Sequence, residues 1–371
     1  MARRVLITGG AGFIGSHVAD LLLSAGCAVR VLDNLSAQVH PEGRIPDYLN
    51  PDLELIVGDV RDRAAVDKAL RGVDAVIHLA AAVGVGQSMY EIARYTDVNE
   101  VGTAVLLEAL ATSPVERLVC ASSMSIYGEG LAQRRDGTLV MPDERSTAQL
   151  RSGQWELVDS DGENLAPLPT PETKPPSLSS VYALNKYSQE RLCLILGRAY
   201  GIPTVALRFF NVYGPRQALS NPYTGVLAIF AARLLNGQSP LVFEDGQQRR
   251  DFVHVSDVAQ ACLLAMTSET AAGQVFNIGS GQSRTIVSIA GDLARVMGRP
   301  DIAPNVTGKY RAGDIRHCFA DIGRSKAELG FRPSVDFDEG LVELAEWLAG
   351  QQANDGVEAA TRELERRGLV A

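Results

Sequence analysis

Three apolar residues, Val5-Leu6-Ile7, run straight into Thr8-Gly9-Gly10-Ala11-Gly12-Phe13-Ile14-Gly15, and no other stretch narrows the folding choices as far. A short, wholly apolar strand must be covered on both faces, which marks a parallel sheet rather than a half-solvated hairpin. Gly9, Gly12 and Gly15, three apart, let the backbone turn sharply and let the helix predicted over Ile14–Ser24 pack down on the strand. A helix opened this way points free N–H groups outward, toward an anion such as a pyrophosphate. Such a turn can also serve packing alone, so its surroundings decide. The next strand, Ala28-Val29-Arg30-Val31-Leu32, closes on Asp33. An acid there accepts hydrogen bonds from a ribose 2′-hydroxyl and repels a 2′-phosphate, and Asn34 rather than an arginine follows it. The pattern favours NAD over NADP.

The alternation continues. Leu53–Val57 and Ala75–Leu79 read as strands, Ala64–Leu70 and Val98–Leu110 as helices, and Arg117–Ala121 as a strand entering Ser122-Ser123. Strands alternating with helices predict an α/β fold with a doubly wound parallel sheet. Residues 130–176 break the pattern, with prolines at 142, 167, 169, 171, 175 and 176 and many charges. They are expected to form a surface insertion, with a short hairpin around Trp155–Val158 and Asp161-Gly162 and either no role or that of a lid or partner surface. Val181–Tyr200 is predicted helical and Thr204–Phe209 a strand. Beyond Asn211 the chain is mixed, with helices over Val226–Leu235 and Asp338–Ala349, an extended Val275–Asn277 and a charged last helix after Gln351.

At 371 residues, 46% hydrophobic and 21% charged, the chain can bury a large core in one large domain or two joined ones. A net charge of −9 excludes a general nucleic-acid binder, and an anionic ligand must be met by local arginines. Cys27, Cys120, Cys193, Cys262 and Cys318 contain no Cys-x-x-Cys pair, so reduced thiols are expected and a metal site is not. Arg3-Arg4 precedes too short an apolar run for a signal peptide, and the apolar run near Val73–Val85 falls short of a membrane span. A cytoplasmic location without membrane contact is the expectation.

Tyr182 and Lys186 lie four apart on a predicted helix and so share a face. A free tyrosine has a pKa of about 10, and a nearby ammonium favours its phenolate. Ser122-Ser123, at the carboxyl end of a parallel strand, supplies a hydroxyl where doubly wound sheets bind ligands. Tyr-x-x-x-Lys is common by chance; the serine and the glycine turn give it weight. His78, His254 and His317 show no metal-binding spacing and read as structural.

Taken in order, these motifs resemble the extended short-chain dehydrogenase/reductases, specifically their NAD-dependent nucleotide-sugar epimerase branch. The resemblance covers about residues 3–348 outside the insertion. It rests on TGGAGFIG at 8–15, DN at 33–34, GDVRD at 58–62, HLAA at 78–81, DVNEVGT at 97–103 and SSMSIYG at 122–128. YALNK at 182–186, LRFFNVYGPR at 207–216, RRDFVHVSDV at 249–258 and RAGDIR at 311–316 complete it. PLPTPETKPP at 167–176 and the segment 180–194 are similar to the subset containing bacterial dTDP-L-rhamnose 4-epimerases. Some of that subset carry cysteine pairs in the insertion; here none stands between 121 and 192.

The resemblance implies a Rossmann domain over 1–210 and 248–278, a smaller mixed α/β nucleotide-sugar domain over 211–247 and 279–348, and a tail over 349–371. It implies NAD held by Gly9, Gly12, Phe13, Ile14, Gly15, Asp33, Asn34, Asp59, Val60, Leu79, Ala80, Ala81, Asn99, Tyr182, Lys186 and Phe210. It implies a catalytic set of Ser123, Tyr182 and Lys186, in which Tyr182 takes a proton from a sugar hydroxyl while hydride passes to NAD and returns to the opposite face of the keto sugar. Lys186 keeps Tyr182 acidic and binds the nicotinamide ribose; Ser123 holds the reacting oxygen. Arg250 and Arg311 match diphosphate-binding arginines, Asn211 a substrate contact, Phe243 a base-stacking position and Asp314 a ribose or arginine contact. Cys318 falls where the family leaves room around the sugar. A homodimer pairing helices near 100–111 and 181–199 is implied as well.

Dehydratases and decarboxylases of the branch resemble one another in a glutamate two residues after the catalytic Ser/Thr, where this chain has Ser125, after Met124. That departure favours C4 epimerisation of a dTDP- or UDP-hexose or deoxyhexose over a dehydratase or decarboxylase. A non-catalytic NAD-sensing protein is the reading from a different class, and the intact Tyr/Lys pair weighs against it.

Overall fold

The computed structural model describes residues 2–371 other than Ser220, Pro222, Thr224, Ala312 and residues 352–355. Seven strands form one sheet: β1 (Arg4–Thr8), β2 (Ala28–Asp33), β3 (Glu54–Val57), β4 (Ala75–His78), β5 (Arg117–Ser123), β6 (Thr204–Phe209) and β7 (Val275–Ile278). Their order is β7-β6-β5-β4-β1-β2-β3, and every neighbouring pair is parallel. The winding reverses between β1 and β4, where Thr8 lies opposite His78, so a crevice opens at the carboxyl ends of those strands.

The helices are α1 (Phe13–Ser24), α2 (Arg63–Leu70), α3 (Gly102–Thr112), α4 (Val181–Tyr200), α5 (Val226–Leu235), α6 (Val255–Thr267), α7 (Ile286–Val296), α8 (Phe337–Leu348) and α9 (Val357–Arg366). Alternation along each strand sorts its residues between two cores. Val5 and Ile7 pack with Val18 and Leu22 of α1 and Val258 and Ala261 of α6. Leu6 faces the other way, onto Val66 of α2, Leu106 of α3 and Cys193 of α4. The predicted doubly wound sheet is therefore present, both faces covered. A third core joins α5, α7 and α8 through Phe230, Leu293 and Leu341.

Three expectations need correction. The helix expected over Val98–Leu110 begins as a π-turn, Asp97–Val101, before α3. Within that turn Asn99 donates through Nδ2 to Ala82 O (3.0 Å) and accepts from Ala82 N–H (2.7 Å). The insertion is not a solvated loop. It holds a three-stranded antiparallel sheet of Leu139–Val140, Ala132–Gln133 and Ala166–Pro167, a helix at Thr147–Arg151, and its own apolar cluster of Ala132, Leu157 and Leu165. The hairpin expected there exists, pairing Val158 with Asn164 around Gly162. Third, the last helix is not merely a charged surface element: Val357, Ala360 and Leu364 of α9 are buried, and Val370 pairs with Arg311. Residues 352–355 of that tail lie outside the described residues.

Candidate active site

The glycine turn is built for close approach. Gly9 has φ +71°, and a Cβ there would meet Ala80 N at 2.8 Å; a Cβ on Gly15 would meet Gly9 O at 2.4 Å. Gly12, the N-cap of α1, has no side chain to cap the helix, so the first-turn N–H groups keep their capacity for an anion. Asp33 is buried at the end of β2 and accepts from Ala11 N–H (3.0 Å) and Leu35 N–H (2.9 Å). Asn34 donates to Asp59 (2.9 Å), whose carboxyl Arg61 holds well below the usual carboxylate range. Val60 packs where a Cβ on Gly102 would fall (2.7 Å). Phe13, Ile14, Leu79, Ala80 and Ala81 are half-buried around the turn, and Asn99 ties the segment following β4 to the π-turn that leads into α3. Acid, glycine cradle and bare helix N-terminus together fit a dinucleotide with a free 2′-hydroxyl.

Ser180 caps α4 by accepting from Ala183 N–H (3.1 Å), and Gly201 ends the helix in the left-handed region at φ +68°. That fixes the phase of the helix and turns Tyr182 and Lys186 inward together, 8% and 3% exposed. Tyr182 hydrogen-bonds with Ser123, which otherwise drives the phenol pKa down, but burial dominates and pushes it up to about 12. Ser123 in turn accepts from Ser125 N–H (3.2 Å) and hydrogen-bonds the Ser125 hydroxyl (3.2 Å). Ser88, unremarked in sequence, accepts from the Tyr182 N–H (3.0 Å).

Lys186 has a neutral hydrogen-bond partner. Its ammonium donates to Gln189 Oε1 (2.7 Å) rather than to the phenol, and burial lowers its pKa. Gln189, three residues on and so on the same face, was missed in the sequence, although its spacing from Lys186 was visible there. His78 is a structural histidine, as expected: burial, then Lys186, hold its pKa down at about 3.

The carboxyl-terminal candidates gather in part. The Arg311 guanidinium lies over the Phe243 ring at 5.5 Å. Arg250 faces the same segment, donating to Arg316 O (3.0 Å) and to Ile315 O, with Asp314 at 3.7 Å. Asn211 is half-buried and donates to Asp251 O (3.1 Å); Phe210 is buried against Tyr127. Sequence reasoning missed the insertion's share. Arg145 donates to Asp314 O (2.9 Å) and pairs with Glu244 (2.9 Å), while Glu129 accepts from the N–H groups of Arg316 and His317 (2.8 and 3.1 Å). Arg316, fully buried, is ringed by Glu244 (2.9 Å), Asp245 (2.6 Å) and Glu156. Cys318, buried beside Thr170 (3.9 Å), stands next to this cluster. Among the described residues no group of His, Cys, Asp and Glu could hold a metal ion.

Sheet, crevice and glycine turn define a dinucleotide-binding α/β protein of the doubly wound class. The pattern of the NAD dependent epimerase/dehydratase family matches residues 5–148 and 161–279, and the chain belongs to that family. The break in the match falls inside the insertion. A dTDP-L-rhamnose 4-epimerase of Burkholderia thailandensis is 39% identical over 94% of this chain and 95% of its own. A UDP-glucose 4-epimerase of Thermotoga maritima, solved with UDP-glucose, is 34% identical with a TM-score of 0.76, covering 93% of this chain and 98% of the other. A UDP-glucose 4-epimerase of Thermus thermophilus, solved with NAD, is 33% identical with a TM-score of 0.73 over 94% and 99%.

Proposed function

We propose that this chain is an NAD-dependent nucleotide-sugar epimerase, an isomerase that inverts C4 of a dTDP- or UDP-linked hexose or deoxyhexose. The observation that carries the reading is the hydrogen bond between Tyr182 and Ser123 at the carboxyl end of β5, with Lys186 buried one turn along α4. NAD, when bound, supplies a reversible hydride acceptor. Tyr182 takes the proton of the C4 hydroxyl, and Ser123 orients the oxygen that loses it. Lys186, on the same helix face, is read as the cation that favours the phenolate, while burial holds Tyr182 protonated and the Ser123 hydrogen bond works against it. Arg250, Arg311 and Asp314 receive the diphosphate and ribose, Phe243 the base, and Asn211 the sugar side. Asp59, Val60, Leu79, Ala80, Ala81, Asn99 and Phe210 complete the cofactor channel with the residues of the glycine turn, Asp33 and Asn34. The division into 1–210 with 248–278, 211–247 with 279–348, and a tail over 349–371 follows from the same reading.

Elimination of water needs a carboxylate beside the reacting carbons, and the turn after Ser123 offers Met124 and Ser125 instead. A homodimer is supported by Val101, Leu184 and Ile195, about half exposed on the π-turn and α4. A cytoplasmic location is supported by five unpaired thiols. Among the described residues no helix is long and apolar enough to cross a membrane.

The deciding experiment incubates the purified protein with UDP-, dTDP-, CDP- and GDP-sugars and reads the products by NMR. Inversion at C4 without loss of water or carbon dioxide is the expected result. An unsaturated or decarboxylated product would overturn the reading, as would no turnover of any sugar nucleotide.

A further inference from the structure

A buried chain of hydrogen bonds runs from Lys186 through Gln189 and Thr103 to His78 and Thr8. Thr103 donates its hydroxyl proton to Asn99 O (2.5 Å), so its oxygen can only accept from its other neighbours. Those are His78 Nε2 (2.9 Å) and Gln189 Nε2 (2.8 Å). His78 Nε2 also lies 3.3 Å from Gln189 Nε2, and its Nδ1 shares a hydrogen bond with Thr8 (2.7 Å), the residue opening the glycine turn. The Gln189 amide, its nitrogen fixed on Thr103, cannot flip, and its oxygen is committed to Lys186 at 2.7 Å.

We propose that Gln189 is the positioning residue that holds the Lys186 ammonium charged and sets its reach. The proposal rests on the reading of Tyr182 as base and Lys186 as its electrostatic partner. The titratable groups facing Lys186 come from several elements. From β4 comes His78, kept neutral by its burial; from β5, the buried thiol of Cys120; from α4 itself, Cys193 and Glu190. Glu190 is already engaged by Arg208 of β6 (2.8 Å) and by Ser122 (2.7 Å). The π-turn's Glu100 is held by Asn185 (2.6 Å). Among the described residues no carboxylate forms an ion pair with Lys186, so the amide oxygen is the acceptor that keeps a buried ammonium from losing its proton. The locked amide also joins Lys186 to Thr8 and thence to Ala80 N–H (3.3 Å), so the lysine and the glycine turn share one frame.

The test uses holoenzyme as purified and compares wild type with Gln189→Met, Gln189→Glu, Thr103→Val and Tyr182→Phe. In Gln189→Met the ammonium loses its acceptor, and the alkaline limb of the kcat–pH profile should move down by about one unit. In Gln189→Glu a carboxylate accepts instead, and the limb should move up. Thr103→Val frees the amide to flip and should move the limb in the same direction as Gln189→Met, by less. As a readout apart from turnover, bound NAD should leave Gln189→Met about tenfold faster on dilution, with Gln189→Glu restoring retention. Superimposable pH profiles, or a uniform fall in kcat without a shift, would overturn the proposal. So would a shift of the same sign in both Gln189 variants. If Gln189→Met does not fold, an unmoved limb in Thr103→Val overturns it equally. Near-normal turnover by Tyr182→Phe would instead sink the reading of the base; an inactive Tyr182→Phe beside an unaffected Gln189 series sinks this inference alone.

Discussion

Two of the buried cations, Arg316 and Lys186, are held in opposite ways. Arg316, wholly inaccessible, is surrounded by the carboxylates of Glu156, Glu244 and Asp245. Lys186, 3% exposed, has a neutral amide as its acceptor. A cation matched by acids has no field left to act on its surroundings and serves to join segments, here the insertion to residues 244–245 and 314–317. A cation answered only by a dipole keeps its field, at a cost in stability, and can act on a neighbouring phenol. On the function proposed above, the two sites separate charge used for cohesion from charge used for chemistry.

The comparison breaks most sharply at Lys186. Lys186→Met should lower kcat by about 10²–10⁴-fold, as loss of a participant in proton transfer does, while the melting temperature stays level or rises. A melting temperature that falls with the activity would erase the distinction. Arg316→Met should do the reverse. It strands buried carboxylates and should cost about 3–5 kcal/mol in chemical denaturation, with Tyr182 chemistry intact in the protein that remains folded. A loss below about 1 kcal/mol, the range of an exposed pair, would show that the cluster does not bind the insertion down.

The smallest effect sharpens the cohesive side. His317 takes the Arg249 N–H at Nδ1 (3.1 Å) and so offers Nε2–H to Glu156 (2.9 Å). That bond, with Arg316, holds the Glu156 carboxyl down at about 2 from an ordinary 4.5. A carboxyl depressed on folding stabilises fully above its unfolded pKa, and the contribution fades as pH falls through the folded one. The melting temperature of Glu156→Gln should lie below wild type at pH 7, and the gap should narrow between pH 4.5 and 2. A gap that stays constant across that window would detach Glu156 from the cluster.

The two regions also differ in how far sequence exposes them. β1, the glycine turn and α1 were legible because apolar runs and glycine spacing act within a few residues. Tyr182, Lys186 and Ser123 could be found because helix phase and strand ends place them. The cohesive cluster could not be read. Glu129 and Arg316 are 187 residues apart, and nothing near either announces a partner. The insertion looked like loop because its strands are two residues long, too short for any period to register. Gln189 lay between these cases: its spacing from Lys186 was visible, but the lock on its amide needs Thr103 and Asn99 from another helix.

The carboxylate of Asp33 ties Ala11 and Leu35 together before any ligand arrives. The ordering entropy of the glycine turn is thus spent in folding, and association of a dinucleotide does not have to spend it again. A coenzyme that is regenerated within each cycle gains from long residence rather than quick exchange, and a cradle stiffened from inside lengthens that residence.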